Sequence, residues 1–336
     1  MSFLSVGDLT QSFLLRHQST RLKTEMQRLT SELASGKLGD LAKAVSGDFG
    51  PLGGIERSLS NLKAFKVSAN EASRFVSATQ DSLGLVQSLS QELAPGLMTA
   101  GNSGHSSLIS AAATDSRQKF RAAVSALNTR VGDRNLFSGT ATDRPPLAPA
   151  DTILADLQVA ISGQTTAAGV RAAVDTWFNT PGGGYDTVAY LGSASSLSPF
   201  QIGAGQEARM DVTASDQAFR DTLKGFALSA LVADGALSGN VGEQADLLRS
   251  AGEQLLTSQR GMADVRANVG SVQGHIEDVM TENSSETASL KIARSKITSA
   301  DPYEAASSLK LTQTNLEMLY TLTARVSSLN LVNFLR

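Results

Sequence analysis

The stretch DVRANVGSVQGHIEDVMTENSSETASLKIARSKI, residues 264–297, decides the fold class because its apolar residues recur at heptad spacing. Its first apolar positions are separated by 4, 3, 4 and 3 residues: Val265, Val269, Val272, Ile276 and Val279. The same phase continues through the polar residues Asn283 and Glu286 to Ile297. This pattern predicts one long helix with a narrow apolar seam, which must pack against a partner helix.

Seams of the same kind occupy the N-terminal region and the C-terminal end. Apolar residues in 15–33 are spaced 7, 4, 3 and 4 apart, and residues 65–97 alternate at 4 and 3 with two polar lapses. We therefore predict that helices from the two ends of the chain pair with each other, antiparallel, or with helices of other copies. The predicted subunit-packing residues are Leu15, Leu22, Met26, Leu29, Leu33, Leu316, Leu319, Leu322, Val326 and Leu329.

Glycine and proline mark the expected ends of the first two helices. Gly36 and Gly39 follow the first seam, and glycine favours the left-handed backbone that closes a helix. A second helix is predicted from about Ile55 to Leu93, ending at Pro95 because proline lacks the backbone donor that a helix interior needs.

The last helix has a clear start signal in the sequence. Asp301 is a suitable N-cap, and Pro302 fits the first helical position, where its missing N–H is not needed. Glu304 stands at the third helical position, where it would complete a capping box. We therefore predict that a new helix begins here and runs to the C-terminus.

The middle of the chain is patterned differently from its ends. Pro145, Pro146 and Pro149 mark a boundary, after which the elements become shorter. The sequence predicts helices at 153–161 and 167–178 and strands at TVAYLG (187–192), PFQIG (199–203) and ARMDVT (208–213). The predicted fold class is mainly α with a small α+β insert.

The predicted domain division follows from these patterns. It comprises an N-terminal inner helix at 1–45, the N half of a helical rod at 46–140, an α+β insert at 141–240, the C half of the rod at 241–299 and a C-terminal inner helix at 300–336.

Composition excludes several classes of partner. The 336 residues carry a net charge of −3, so no basic surface for nucleic acid is expected. There is no cysteine, which removes disulfides and thiolate metal ligands. Neither a signal peptide nor a membrane span is expected, because no stretch reaches the roughly 18 apolar residues that a span requires.

The residues that could carry catalysis are isolated from one another. His17, His105 and His275 are far apart in sequence, and none has a metal-ligand neighbour at i+4. The runs at 53–54 and 182–184 are glycines outside any phosphate-binding motif, and turn geometry explains them. We therefore predict no catalytic residue, metal or cofactor, and no enzyme activity.

Three segments together resemble the flagellin superfamily. LTSELASGK (29–37) resembles the family's turn after the first helix, and NEASRFVSATQDSLGLVQ (70–87) resembles its second helix. DVRANVGSVQGHIE (264–277) resembles the Arg-Ala-x-x-Gly segment of its long C-terminal helix. Within that superfamily the details resemble the hook-associated protein 3 type, the junction protein between hook and filament. The family motif that carries this resemblance is Asn135, Leu136, Phe137, Ser138 and Gly139.

The resemblance implies a structural subunit of the bacterial flagellum. In that superfamily, helices from both ends of the chain build the wall of a tube, and an inserted middle domain faces outward. It further implies extracellular localisation after type III export, without a cleaved signal peptide. The partners it implies are other copies of the chain, a neighbouring hook-associated protein, flagellin and a flagellar export chaperone.

Two alternatives remain open at this point. The turn VSGDFGPLGG (45–54) departs from the junction-protein pattern, and the ending NLVNFLR (330–336) is closer to filament flagellin. Filament flagellin is therefore the first alternative. The second, from another class, is a cytoplasmic coiled-coil interaction protein with an unrelated insert.

Overall fold

The computed structural model describes the backbone of residues 6–334 and, within it, the side chains of residues 10–325. Its helices are α1 (Val6–Ser35), α2 (Leu41–Ala44), α3 (Gly50–Ser103), α4 (Ser106–Leu127), α5 (Ala150–Ala160), α6 (Ala167–Asn179), α7 (Gln217–Ala233), α8 (Val241–Thr298) and α9 (Pro302–Phe334). Two short antiparallel hairpins join β1 (Arg130–Val131) to β2 (Arg134–Asn135) and β3 (Phe200–Gly203) to β4 (Gln206–Ala208). The mainly α fold class, with long helices from both ends and a small strand-containing middle, is confirmed.

Two compact units divide the chain. The terminal unit comprises Met1–Asn61 and Ser285–Arg336, and the central unit comprises Leu62–Ser284. The long helices α3 and α8 each contribute residues to both units. None of the helices in the described part of the chain is long and apolar enough to cross a membrane.

The terminal unit is built on the pairing of α1 with α9. Leu29 on α1 is buried, as are Leu316 and Leu319 on α9, so the two helices cover each other at these positions. Helix α1 ends at Ser35, and the next residue, Gly36, has a φ of 67°, which is favourable for glycine. The Gly36 N–H donates to the Glu32 carbonyl oxygen at 2.8 Å.

The segments that follow α1 and α8 are joined by backbone hydrogen bonds. The Leu38 N–H donates to the Thr298 carbonyl oxygen at 2.9 Å, and the Ala300 N–H donates to the Gly36 carbonyl oxygen at 3.1 Å. Helix α9 then begins at Pro302, as the sequence predicted. One Asp301 carboxylate oxygen accepts from the N–H groups of Tyr303 and Glu304, at 2.8 and 3.2 Å.

In the central unit α3 and α8 pack against each other along the heptad seam. Val269, Ile276 and Val279 are all buried on α8. The backbones approach closely where the sequence has glycine. A Cβ at Gly101 would lie 2.7 Å from the Ala245 carbonyl oxygen, and one at Gly252 would lie 3.0 Å from that of Ala94.

Helix α7 packs along α4 and is buried almost all round. Its buried residues include Phe219, Leu223 and Phe226, and the core they form is continuous with the core of α3 and α8. Phe219 also packs edge-on against Phe137, with ring centroids 5.4 Å apart. Although α7 falls inside the predicted insert 141–240, it therefore shares one hydrophobic core with the helical rod.

Three local predictions differ from the structure. Helix α3 does not end at Leu93 but runs through Pro95 to Ser103. The segment predicted as the strand TVAYLG instead begins within a π-helical turn at Tyr185–Ala189. The last predicted strand is shorter and earlier than expected, because β4 ends at Ala208.

Candidate assembly surfaces

The predicted packing residues on α1 and α9 fall into groups of different exposure. Leu29, Leu316 and Leu319 are buried in the α1–α9 seam. Three others are half-buried beside it: Leu15, Leu22 and Met26. Leu33 and Leu322 are exposed. Val326 and Leu329 lie on α9, but their side chains are outside the described residues.

Each of the two paired helices also has an exposed apolar surface away from the seam. On α9 this outer face comprises Leu311, Met318 and Leu322, spaced 7 and 4 residues apart and 64%, 52% and 55% exposed. That spacing places them on one side of the helix. Exposed apolar side chains in a continuous stripe are typical of a surface that is covered by another protein.

The outer face of α1 has both apolar and charged residues. It comprises Phe13, Leu14, His17 and Arg21, which share one side of the helix at spacings of 1, 3 and 4. Phe13 is 67% and Leu14 is 59% exposed. The Phe13 ring stacks on the His17 imidazole, with ring centroids 6.4 Å apart. The surrounding segment 10–24 has three basic residues and no acidic one.

The C-terminal turns of α1 carry a compact ion-pair network. Arg28 pairs with both Glu25 and Glu32, which lie one turn before it and one turn after it. The hydrogen bond from Arg28 lowers the pKa of the Glu25 carboxyl. Glu32, although buried, also accepts a hydrogen bond from the Gly39 N–H at 2.8 Å. A Cβ at Gly39 would lie 3.0 Å from Arg28 Cγ, which explains why glycine fits here.

A groove of about 770 Å³ opens in the terminal unit beside this network; we call it the terminal groove. Its apolar lining includes the half-buried residues Leu38, Val45, Leu52 and Ile297. Its acidic lining residues are Glu25, Glu32, Asp40, Asp48, Asp301 and Glu304. Its basic lining residues are Arg28, Lys43 and Lys296. Acidic residues thus outnumber basic ones by two to one, and the groove is negatively charged.

The family motif at 135–139 anchors the central unit. Phe137 is fully buried, and its carbonyl oxygen accepts from the Ala214 N–H at 3.0 Å. The Ser138 hydroxyl donates to the Arg144 carbonyl oxygen at 2.8 Å. Gly139 has a φ of 60°, and a Cβ there would lie 2.3 Å from the Ser195 carbonyl oxygen. The motif is therefore a structural junction of three chain segments.

The first two residues of the motif are also buried. The Asn135 side-chain amide donates to the Thr142 carbonyl oxygen at 2.9 Å, and the Leu136 N–H donates to the Thr129 carbonyl oxygen at 3.2 Å. These bonds tie the β1–β2 hairpin to the segment that leads into α5.

Sequence reasoning missed a polar contact that fixes α3 against α8. Arg266 Nη1 donates to the side-chain oxygen of Gln87 at 2.5 Å, and Gln80 Nε2 donates to the Arg266 carbonyl oxygen at 2.6 Å. At Gly270, one turn beyond Arg266, an added Cβ would lie 3.5 Å from Gln80 Nε2. The 7-residue spacing of the two glutamines within a seam helix was the signal that could have revealed this contact.

The polar heptad residue Asn283 also has a defined partner. Its Nδ2 donates to the Ile202 carbonyl oxygen on β3 at 2.8 Å. Close by, a Cβ at Gly203 would lie 3.1 Å from Val279 Cγ1. Asn283 therefore fixes the β3–β4 hairpin to α8 at one position along the helix.

The arrangement of the His, Asp and Glu side chains decides whether the protein could hold a metal ion. Across the residues whose placement is described, no three or more His, Asp or Glu side chains come together in a way that could hold a metal ion.

Two comparisons with known proteins give results. Residues 254–335 match the family model described as the bacterial flagellin C-terminal helical region. The fold is similar to the crystal structure of FlgL from Bacillus cereus, with a TM-score of 0.51 and 16% sequence identity, over 70% of this chain and 96% of that one. No curated protein sequence matches the chain. The resemblance to flagellin-like proteins is thus confirmed, in the C-terminal helical region and in the fold.

Proposed function

We propose that this flagellin-like chain is a structural subunit of the bacterial flagellum and forms the junction between hook and filament. The observation that carries the proposal is the double use of α1 and α9. The α1–α9 seam buries one apolar face of each helix within the chain, and a second apolar face remains exposed on each helix. Leaving such faces uncovered would be costly, so contacts with neighbouring subunits are expected to bury them.

The junction role is supported by the central unit. The motif Asn135 to Gly139 is buried and ties together the segments leading into α5 and α7. Its resemblance to the hook-associated protein 3 motif distinguishes this reading from a filament subunit. A junction subunit must fit the hook side at one end and the filament side at the other, and it must stop after a short zone.

Filament flagellin is the second candidate, and one observation favours it. The match over residues 254–335 is to the flagellin C-terminal helical region, and it covers all but the last residue of the ending NLVNFLR. A filament subunit would use the same α1–α9 pair but would add indefinitely to its own kind.

The proposed mechanism is assembly without chemistry, and it requires no catalytic residue or cofactor. The proposed partners are other copies of the chain, a neighbouring hook-associated protein, flagellin and an export chaperone. Export would thread the unfolded chain through the flagellar type III channel to the outside of the cell. The lack of cysteine suits this route, because no disulfide has to be broken for the chain to thread.

The proposed domain division keeps 1–45 and 300–336 as inner helices, with 46–140 and 241–299 as the rod. We place the variable part of the insert 141–240 before α7, because α7 shares its buried residues with α4.

A gene deletion and an assembly assay test the proposal together. A strain lacking the chain should secrete flagellin into the medium and carry no filaments, and the purified protein should form no long filaments even when seeded. Micrometre-long filaments of the pure protein would instead decide for filament flagellin. A motile deletion strain with normal filaments would overturn both candidates.

A further inference from the structure

The outer face of α1 and the terminal groove are complementary in charge, and both have accessible apolar side chains. The outer face presents Phe13 and Leu14 beside Arg21, within a segment that has basic but no acidic residues. The groove presents half-buried apolar side chains in a lining whose charged residues are mostly acidic. Complementary charge steers association and fixes its orientation, while the apolar residues supply most of the affinity.

The two surfaces cannot satisfy each other within one chain through α1 itself. Helix α1 is continuous from Val6 to Ser35, and Leu29 lines the groove. With a rise of 1.5 Å per residue, Phe13 lies roughly 24 Å along the helix axis from Leu29. The outer face also points away from the seam, since its residues are out of phase with Leu15, Leu22 and Met26.

We propose that the outer face of α1 docks into the terminal groove of a second copy of this chain. The inference rests on the proposed function in one respect: it names the contact by which neighbouring subunits join the assembly. Because the two surfaces differ, the contact is heterologous and passes from copy to copy, as a ring or a helical row requires. Arg21 of one copy then lies among the groove's acidic residues, and the exposed Glu304 is the partner that the proposal gives it.

Site-specific cross-linking tests the contact directly, because the natural chain has no cysteine to interfere. Full-length Leu14→Cys protein is mixed with full-length Val45→Cys protein and treated with a short bismaleimide, which joins two thiols as thioethers. A mixed dimer should form, and its yield should fall about tenfold when Arg21→Glu is added to the Leu14→Cys chain. The matched control replaces Val45→Cys with Ile292→Cys, an exposed apolar position of the terminal unit outside the groove lining.

Reversing the charges of the two partners distinguishes a specific contact from nonspecific association. Arg21→Glu and Glu304→Lys should each lower the association constant measured by sedimentation about tenfold, and the double variant should recover to within about threefold of the parent. Lys291→Glu, an exposed charge elsewhere in the terminal unit, should have no such effect. One molar salt should weaken the parent, since it shortens the screening length to about 3 Å.

The outcomes distinguish this inference from the proposed function. A cross-linking yield no higher than that of the Ile292→Cys control, or a double variant that stays as weak as the single ones, overturns the docking contact. If those variants nevertheless enter flagella normally, the contact is wrong and the flagellar role stands. If the Leu14→Cys and Val45→Cys chains cross-link as expected but the natural chain is absent from isolated flagella, the flagellar role is wrong and the contact stands.

Discussion

Gln80 and Arg266 bind each other twice across the α3–α8 pair. Gln80 Nε2 donates to the Arg266 carbonyl oxygen at 2.6 Å, and Arg266 Nε donates to Gln80 Oε1 at 3.3 Å. A shift of one helical turn, about 5.4 Å, would break both bonds at once. The apolar seam alone tolerates such a shift far better, because one valine or alanine can replace another at the same spacing. This polar pair therefore sets the register of the central unit.

Removing the Arg266 side chain should destabilise the central unit. Arg266→Ala leaves the half-buried amide oxygens of Gln80 and Gln87 without the guanidinium that donates to them, so we expect the free energy of unfolding to fall by about 1–2 kcal/mol. Denaturant titration followed by circular dichroism measures it. Arg260→Ala, at an exposed position of the same helix, should stay within about 0.5 kcal/mol of the parent. Equal effects of the two substitutions would contradict the register role.

Two glycines of α3 should respond to alanine in opposite directions. Gly101→Ala places a Cβ 2.7 Å from the Ala245 carbonyl oxygen, so it should cost about 1–3 kcal/mol. At Gly96 a Cβ meets nothing within 4 Å, so Gly96→Ala should stabilise the helix by up to about 1 kcal/mol. Thermal unfolding of both variants provides the comparison. A stabilising Gly101→Ala would mean that α3 and α8 are less closely packed than described.

The seam and the outer face of α9 should separate folding from assembly. Leu319→Asp puts a charge into the buried seam at a cost of several kcal/mol, so the helical signal of the terminal unit should fall. Leu322→Asp changes a side chain that is 55% exposed, so the monomer should keep its helical signal and lose incorporation into flagella. Far-UV circular dichroism measures the helical signal, and immunoblots of sheared flagella measure incorporation. Normal incorporation of Leu322→Asp would remove the outer face of α9 from the interface.

Acid should weaken the contact between α6 and α7 through Asp175. The hydrogen bond from Lys224 Nζ, 2.8 Å long, lowers the pKa of the Asp175 carboxyl. A carboxyl with a lowered pKa in the folded state stabilises the fold above its unfolded pKa of about 3.9, and this contribution is lost as the pH falls through the folded pKa.

Two substitutions check that linkage. Asp175→Asn removes the titrating group, and Lys224→Met removes its cationic partner, so each should flatten the loss of stability between about pH 5 and pH 2. Equilibrium unfolding at a series of pH values measures the slope. Slopes equal to that of the parent in both variants would show that this pair does not couple folding to pH.

The sequence predicted the helix pairing well because a narrow heptad stripe has few ways to be buried. The predicted end of α3 at Pro95 was wrong, because local propensity favours a helix end at a proline. The residues around that proline, Leu93, Ala94 and Leu97, are almost completely buried, so packing holds the helix together despite the missing donor. The heptad phase had already included Leu97, and that long-range signal was the better guide.

The π-helical turn could not be predicted because distant residues hold it. Tyr185 is fully buried, its hydroxyl donates to the Ala214 carbonyl oxygen, and the Arg220 guanidinium lies 4.5 Å from its ring centroid. Arg220 also pairs with Asp186 at 2.5 Å. The β-branched and aromatic residues nearby are typical of a strand, but these contacts come from α7 and the segment just before it, some 30 residues further on.

The polar members of the α8 seam show the same limit. Heptad spacing identified Asn283 as an exception but could not say what it binds, because its partner, the Ile202 carbonyl oxygen, belongs to a hairpin distant in sequence. The outer faces could likewise not be predicted from the sequence. Leu319 and Leu322 both fit the apolar pattern, and only the packing in the structure shows that the first is buried and the second exposed.

The hydrogen bond from Leu38 to Thr298 has a consequence for synthesis. Its two residues are about 260 positions apart, so the terminal unit is closed by one of the longest loops available to this chain, and such contacts form late. At about 5–20 residues per second, the ribosome completes α9 roughly 15–60 s after α1. Throughout that interval the helix that covers Leu22, Met26 and Leu29 has not yet been made. Every newly synthesised molecule therefore exposes an apolar N-terminal stripe before its own C-terminus exists.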